Sequence, residues 1–197
     1  MYAGFPEPGD EYLVLVGLAF PPIDGNPAYI GRTLSDVKFE FDIELLPYFM
    51  TIQRPRTLSW LYSQFDSEGS GPLLVNSLIM MRLNVLLGKG MEADLETLSC
   101  GIGLQFLGKP ITDKSNSEVV RVQGLHGEAS VSRVLFETIE GGMRVDDLSQ
   151  VLNDIANTSK CNREKLVLST LESLPALLGS GSAFLFEVDD DWVPEAE

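Results

Sequence analysis

The chain has 197 residues, of which 44% are hydrophobic, and a formal net charge of −15. This length and composition predict one folded domain with a sizeable core. They exclude an intrinsically disordered chain, because disorder requires high charge together with low hydrophobicity. The negative charge disfavours direct binding to nucleic acids and to anionic membranes, so basic proteins are the expected electrostatic partners.

Few residues of the types that commonly carry catalysis or bind metals are present. His126 is the single histidine, and Cys100 and Cys161 are the two cysteines. One histidine cannot form a multi-histidine metal site within the chain, and two distant cysteines predict neither a disulfide framework nor a zinc site.

Carboxylates are the remaining alternative for acid–base chemistry, and the sequence offers Glu92, Asp94 and Glu96. Their alternation is typical of the exposed surface at a helix start. No constellation of nucleophile, base and oxyanion donor is recognisable. We therefore expect a protein that is not an enzyme and has no catalytic, metal or cofactor site.

Residues 1–33 are predicted to form an N-terminal arm with one strand. Prolines surround the apolar stretch at residues 12–20, and the first basic residue is Arg32. Because no basic segment precedes the apolar stretch, we do not expect a secretory signal peptide.

Residues 34–188 are predicted to form a single compact α+β domain, with a largely antiparallel sheet packed against helices. Strict alternation over residues 37–45 predicts a half-buried strand. Thr57 can cap a short helix, and residues 73–87 predict a long apolar helix that ends at Gly88.

Further strands are expected at residues 101–107, 118–123, 130–140 and 183–188. An amphipathic helix is predicted over residues 145–155. Another begins after Asn162, runs through Leu174 and ends near Pro175. Residues 189–197 form an acidic C-terminal tail.

Two blocks of sequence carry a family resemblance. The first is Arg56-Thr-Leu-Ser-Trp-Leu-Tyr-Ser-Gln-Phe-Asp66, which is followed by a serine- and glycine-rich break and the apolar residues 73–88. The second covers residues 153–166, including Arg163-Glu164-Lys165, and precedes the strand near the C-terminus. In this order, and over residues 36–188, the chain resembles rhabdovirus matrix proteins, with blocks similar to those of vesiculoviruses and lyssaviruses.

The resemblance implies a non-enzymatic protein that self-associates into a lattice, condenses the nucleocapsid and acts in budding. Its implied partners are further copies of the chain, the viral nucleoprotein–RNA complex and the inner leaflet of the envelope. The implied location is the virion beneath the envelope and the host cytoplasm, including its membrane surface.

Candidate contact residues follow from the resemblance. Tyr12-Leu-Val-Leu15 matches the budding pattern Tyr-x-x-Leu, although the equally apolar residues around it favour a buried strand. A Pro-Pro-x-Tyr motif is absent from the sequence. The self-association or partner candidates in the arm and the loop after the first block are Tyr12, Leu15, Pro21, Pro22, Pro27, Tyr29, Ser67, Glu68 and Gly69. Family members commonly have a lysine-rich arm, which this chain lacks. The candidate basic contact cluster is Arg54, Arg56, Lys160, Arg163 and Lys165.

The negative charge and the absence of catalytic residues leave an alternative function open. An acidic chain without catalytic residues is also typical of an inhibitor or immunity-type protein that captures a basic partner.

Overall fold

The computed structural model describes residues 3–23, 27–31, 38–65, 71–80, 83–99, 101–111, 119–140, 144–145, 147, 150, 157 and 162–188. Antiparallel sheets pack against helices, which confirms the predicted α+β class.

The strands are β1 (Tyr12–Leu15), β2 (Leu18–Phe20), β3 (Tyr29–Gly31), β4 (Lys38–Glu40), β5 (Arg56–Thr57), β6 (Asn84–Leu87), β7 (Ile102–Phe106), β8 (Lys109–Pro110), β9 (Val119–Gly124), β10 (Gly127–Ser132), β11 (Arg144–Val145) and β12 (Ala183–Glu187). The helices are α1 (Leu46–Ile52), α2 (Leu58–Phe65), α3 (Gly71–Met80), α4 (Met91–Ser99), α5 (Arg133–Glu140) and α6 (Arg163–Gly179).

The strands form three-stranded sheets with the orders β5-β1-β6, β2-β3-β4, β11-β7-β12 and β10-β9-β8. Directly after β1, a parallel bridge pairs Val16 with Leu185 of β12. The Gly17 N–H donates to the Leu185 carbonyl over 2.7 Å. The N-terminal and C-terminal parts of the described chain are thereby joined by backbone hydrogen bonds.

Strand β1 contributes to two hydrophobic clusters. Tyr12, Val14 and Val16 pack into a cluster with side chains from β7, β12 and α6. Leu13 and Leu15 pack on the opposite side with α1, α2 and the end of α3. Successive side chains of a strand point to opposite faces. This short strand therefore lies between the two clusters and contributes side chains to both.

The predicted N-terminal arm contains more than the single strand expected. Residues 12–20 form β1 and β2, and β1 pairs with β5 and β6 on its two edges. All four of its residues are buried. A continuous apolar run is typical of a strand covered on both faces, and this run therefore belongs to the core.

The strand predicted over residues 37–45 is shorter than its alternation suggests. Strand β4 ends at Glu40, and a 3-10 helix follows at residues 43–45. The Asp42 carboxylate accepts from the Glu44 N–H over 3.2 Å and caps this helix. Pro47 then occupies the first turn of α1, where its missing N–H costs no hydrogen bond.

The long helix predicted over residues 73–87 is also wrong. Helix α3 ends at Met80, and Asn84 to Leu87 form β6 along β1. Apolar residues on all sides suit a buried helix and a buried strand equally, so periodicity alone could not separate them. Residues 84–87 form a strand and not a helix because the edge of β1 offers backbone hydrogen-bond partners to them.

Two other boundaries differ from the prediction. Strand β10 ends at Ser132, and α5 follows where a strand was expected to residue 140, because the Ser132 hydroxyl caps the helix by accepting from the Leu135 N–H over 3.2 Å. Pro175 lies within α6 and does not end it.

The helix predicted over residues 145–155 lies largely outside the described residues, although Val145 belongs to β11. Other local predictions are confirmed. The Thr57 hydroxyl accepts from the Trp60 N–H over 3.4 Å at the start of α2, and the Asn162 side chain caps α6. Strands lie at 102–106, 119–124 and 183–187 as predicted.

Gly88 provides a direct test of the packing around β6. Its φ is 89°, and a Cβ there would overlap the Asp10 carbonyl. We expect Gly88→Ala to lower the free energy of unfolding by about 3 kcal/mol, since the left-handed conformation costs about 1–2 kcal/mol and the overlap adds to it.

Gly90→Ala is the matched control for this variant. Gly90 has a φ of 118°, but a Cβ there would meet no atom within 4 Å. Urea unfolding of both variants measures the difference. Equal losses at the two positions would contradict the close approach of residue 10 to Gly88.

Candidate functional site

A surface groove of about 400 Å³ lies between residues 5–10 and helix α6. Residues 5–10 are held in place at both ends. The Thr57 N–H donates to the Gly4 carbonyl over 2.9 Å, and the Phe5 ring packs against Gly179. At the other end, the Leu58 N–H donates to the Glu11 carbonyl over 3.1 Å, and within the segment the Glu7 N–H donates to the Asp10 carboxylate over 3.0 Å.

The apolar wall of the groove comes from one face of α6. Leu168, Leu171 and Pro175 recur at spacings of three and four residues, which places them on the same side of the helix. Leu168 is 41% exposed, although leucine is a residue that cores usually bury. Part of this apolar face is therefore open to a ligand.

Tyr12 and Asp94 contribute polar side chains to the groove, and both are largely buried, with exposures of 5% each. Asp94 accepts from the Gly88 N–H over 3.0 Å and from the Lys89 N–H over 3.1 Å. These bonds fix the turn between β6 and α4. They leave acceptor capacity, since an ionised carboxylate has about four acceptor positions.

The electrostatics of this pair follow from burial. Burial raises the pKa of Asp94, while the two backbone hydrogen bonds and the charge of Lys89 act in the opposite direction and Glu11 raises it. Burial, and secondly the Asp94 charge, raise the pKa of the Tyr12 hydroxyl. Tyr12 is therefore a neutral hydroxyl at physiological pH.

The remaining charges of the groove lining are also negative. Glu7, Asp10 and Glu172 are exposed and lie around the apolar wall. Among the described residues that line the groove, none is lysine or arginine. The groove thus combines an apolar surface with an acidic rim.

A second cavity of about 310 Å³ adjoins the groove and shares Phe5 and Ala176 with it. His126 lines this cavity and lies in the turn between β9 and β10. Burial, and secondly the positive charge of Arg54, lower the pKa of His126. The histidine is therefore mainly neutral at physiological pH.

The arm candidates have different surroundings. Tyr12 and Leu15 are buried in β1, with exposures of 5% and 2%, so the Tyr12-to-Leu15 motif is not displayed on the surface as a budding motif would be. Pro21, Pro22 and Pro27 are exposed, and the Tyr29 ring stacks on Phe20 at a centroid distance of 4.9 Å. Ser67, Glu68 and Gly69 lie outside the described residues.

Two members of the candidate basic cluster, Arg54 and Lys165, lie far apart. Arg56 lies over the Trp60 ring at 5.4 Å. Arg54 acts electrostatically on His126, whose backbone N–H donates to the Ser180 carbonyl just after α6. Lys165 is exposed in the first turn of α6, about 20 Å away along the helix. Lys160 and the side chain of Arg163 lie outside the described residues.

Asp94 was misinterpreted from the sequence. The alternation of Glu92, Asp94 and Glu96 predicted an exposed surface, and Glu92 and Glu96 are indeed exposed, but Asp94 is buried. The available signal was the preceding Gly88-Lys-Gly90, because a glycine turn before a helix places backbone N–H groups next to the first acidic side chains.

Neither metal binding nor membrane spanning receives support from the described part of the chain. It contains no group of three or more His, Cys, Asp or Glu residues suited to a metal ion. None of its helices combines the length and the apolar composition required to cross a bilayer.

Comparisons with protein-family models, curated proteins and solved structures found no match to this chain. The interpretation of the groove therefore rests on its own geometry and charge.

Asp94 should affect stability in a pH-dependent way. Because its pKa is raised above the ordinary value of 3.8, the folded protein binds more protons than the unfolded chain between the two pKa values. The free energy of unfolding should therefore fall as pH rises through that interval. We expect this component of the fall to be missing in Asp94→Asn.

Urea unfolding at a series of pH values, with NMR titration of the Asp94 carboxyl carbon, measures both effects. An NMR midpoint at or below 3.8, or the same pH dependence in both proteins, would contradict the burial of an ionisable Asp94.

Proposed function

We propose that this chain is a viral matrix-like structural protein. In this proposal it self-associates, condenses the nucleocapsid and links it to the envelope during assembly and budding. Its place is the virion beneath the envelope and, before assembly, the host cytoplasm and its membrane surface.

The observation that carries a binding function is the groove beside α6. Its apolar face is open, and its rim is acidic over several separate segments of the chain. An open apolar surface of this kind suits the side chains of another protein, and the charged rim adds orientation and specificity. The resemblance to rhabdovirus matrix proteins supplies the assembly context.

The net charge of −15 restricts which parts of the nucleocapsid this chain would contact. An acidic chain is repelled by RNA phosphates, so contact is expected through basic surfaces of the nucleoprotein and not through RNA. Membrane contact would need apolar insertion for the same reason. Leu125, at the tip of the β9–β10 turn, is 76% exposed and is a candidate for that contact.

A second candidate is an acidic inhibitor or immunity-type protein. The same acidic groove favours it, since one basic partner could occupy the groove in a one-to-one complex. The two functions differ in self-association, which only the matrix-like function requires.

Light scattering of the purified chain across salt concentrations, with electron microscopy of the particles, separates the two functions. Salt screens repulsion between acidic chains beyond about 8 Å at physiological ionic strength. We expect particle size to grow as salt is raised, with sheets or filaments visible by microscopy.

A chain that stays monomeric at all salt and protein concentrations would contradict the matrix-like proposal. Deletion of residues 1–31 is unsuitable as a test of an assembly arm, because it would remove the core strand β1. Circular dichroism before and after salt addition should confirm that the particles contain folded protein.

A further inference from the structure

We propose that the groove beside α6 binds an extended segment of a basic partner protein, with apolar side chains against α6 and a lysine or arginine directed toward the acidic rim. The groove is the one defined by residues 5–10, α6, the turn at Gly88–Gly90 and the first turn of α4. This inference deepens the proposed binding function and rests on it.

Charge complementarity identifies the occupant. Four carboxylates line the groove, those of Glu7, Asp10, Asp94 and Glu172, and none of the described lining residues is basic. The nearby Lys89 acts on Asp94 and offsets part of this charge, whereas Glu11 adds to it. An acidic segment or a second acidic surface of this chain would be repelled, while a basic segment would be attracted.

The apolar wall adds a second requirement for the ligand, which must carry apolar side chains as well as positive charge. A purely cationic ligand would leave Leu168, Leu171 and Pro175 in contact with water. A segment that also carries leucine-like side chains would bury this surface, which is favourable roughly in proportion to the area removed from water. The preferred ligand therefore combines basic and apolar residues.

Asp94 distinguishes this groove from an ordinary acidic surface. Its carboxylate is 5% exposed and is held by two backbone N–H groups, so it does not reorient freely. A cation that reaches it has little water to displace. Electrostatic attraction is stronger in such a partly desolvated position than at the rim.

Fluorescence anisotropy with labelled peptides tests the inference on the full chain. One probe alternates leucine and lysine, a second replaces each lysine by glutamate, and a third replaces each leucine by serine. We expect the first peptide to bind at least about tenfold more tightly than either of the others, and its affinity to fall as salt is added.

Two pairs of variants locate the binding surface. Leu168→Ser and Glu172→Lys change the groove, and each should weaken the leucine–lysine peptide about fivefold to tenfold. Leu107→Ser and Glu96→Lys are the controls. Leu107 is 45% exposed and Glu96 is exposed, but neither lines the groove. Each control makes the same chemical change as its partner and should alter affinity less than about twofold.

Equal weakening by groove and control variants would overturn the inference, as would equal binding of the lysine and glutamate peptides. Thermal unfolding monitored by circular dichroism verifies that all four variants are folded. Light scattering of the same samples reports self-association separately. A monomer that binds the peptide through the groove would refute the lattice but not the groove, whereas a lattice former that ignores the peptide would refute the groove alone.

Discussion

Burial of strand β1 on both faces is the constraint on which the rest of the fold depends. Tyr12, Val14 and Val16 enter one hydrophobic cluster, while Leu13 and Leu15 enter the other. A shift of one residue along the neighbouring strands would exchange the two sets of side chains. The register with β6 from Tyr12–Leu87 to Leu15–Asn84 therefore fixes both clusters at once. A buried bond from the Asn84 side chain to the Tyr48 hydroxyl, at 3.1 Å, adds a polar constraint to the same register.

The groove is a consequence of this arrangement. Because β1 is central, the residues before it must leave the core over the surface, and they cross next to Gly88 and α6. Gly88 permits this crossing, since any side chain there would meet the Asp10 carbonyl. The Asp94 carboxylate then satisfies the N–H groups of the turn. The acidic site and the tight packing of the N-terminal segment thus share the same residues.

The sequence predicted well those features that depend on neighbouring residues. Thr57 and Asn162 cap helices because their side chains reach N–H groups two or three positions away. Predictions were wrong where a distant segment decides the outcome. Residues 84–87 are a strand because β1 pairs with them, and residues 12–15 are core because later strands and helices cover them. The local Gly88-Lys-Gly90 turn signals the backbone bonds of Asp94, whereas the approach of residues 5–12 to Asp94 depends on distant packing.

Charge has a different consequence in this chain from the one expected for a matrix protein with a lysine-rich arm. A basic arm can contact phosphates of RNA and of lipid through the same side chains. An acidic chain cannot, so a matrix-like function here would depend on contacts with protein surfaces and on apolar insertion. The groove fits the first requirement, since its open leucine face would supply affinity and its carboxylates would select basic partners. Selectivity of this kind would also disfavour a second copy of this acidic chain in the groove, so self-association would have to use a different surface.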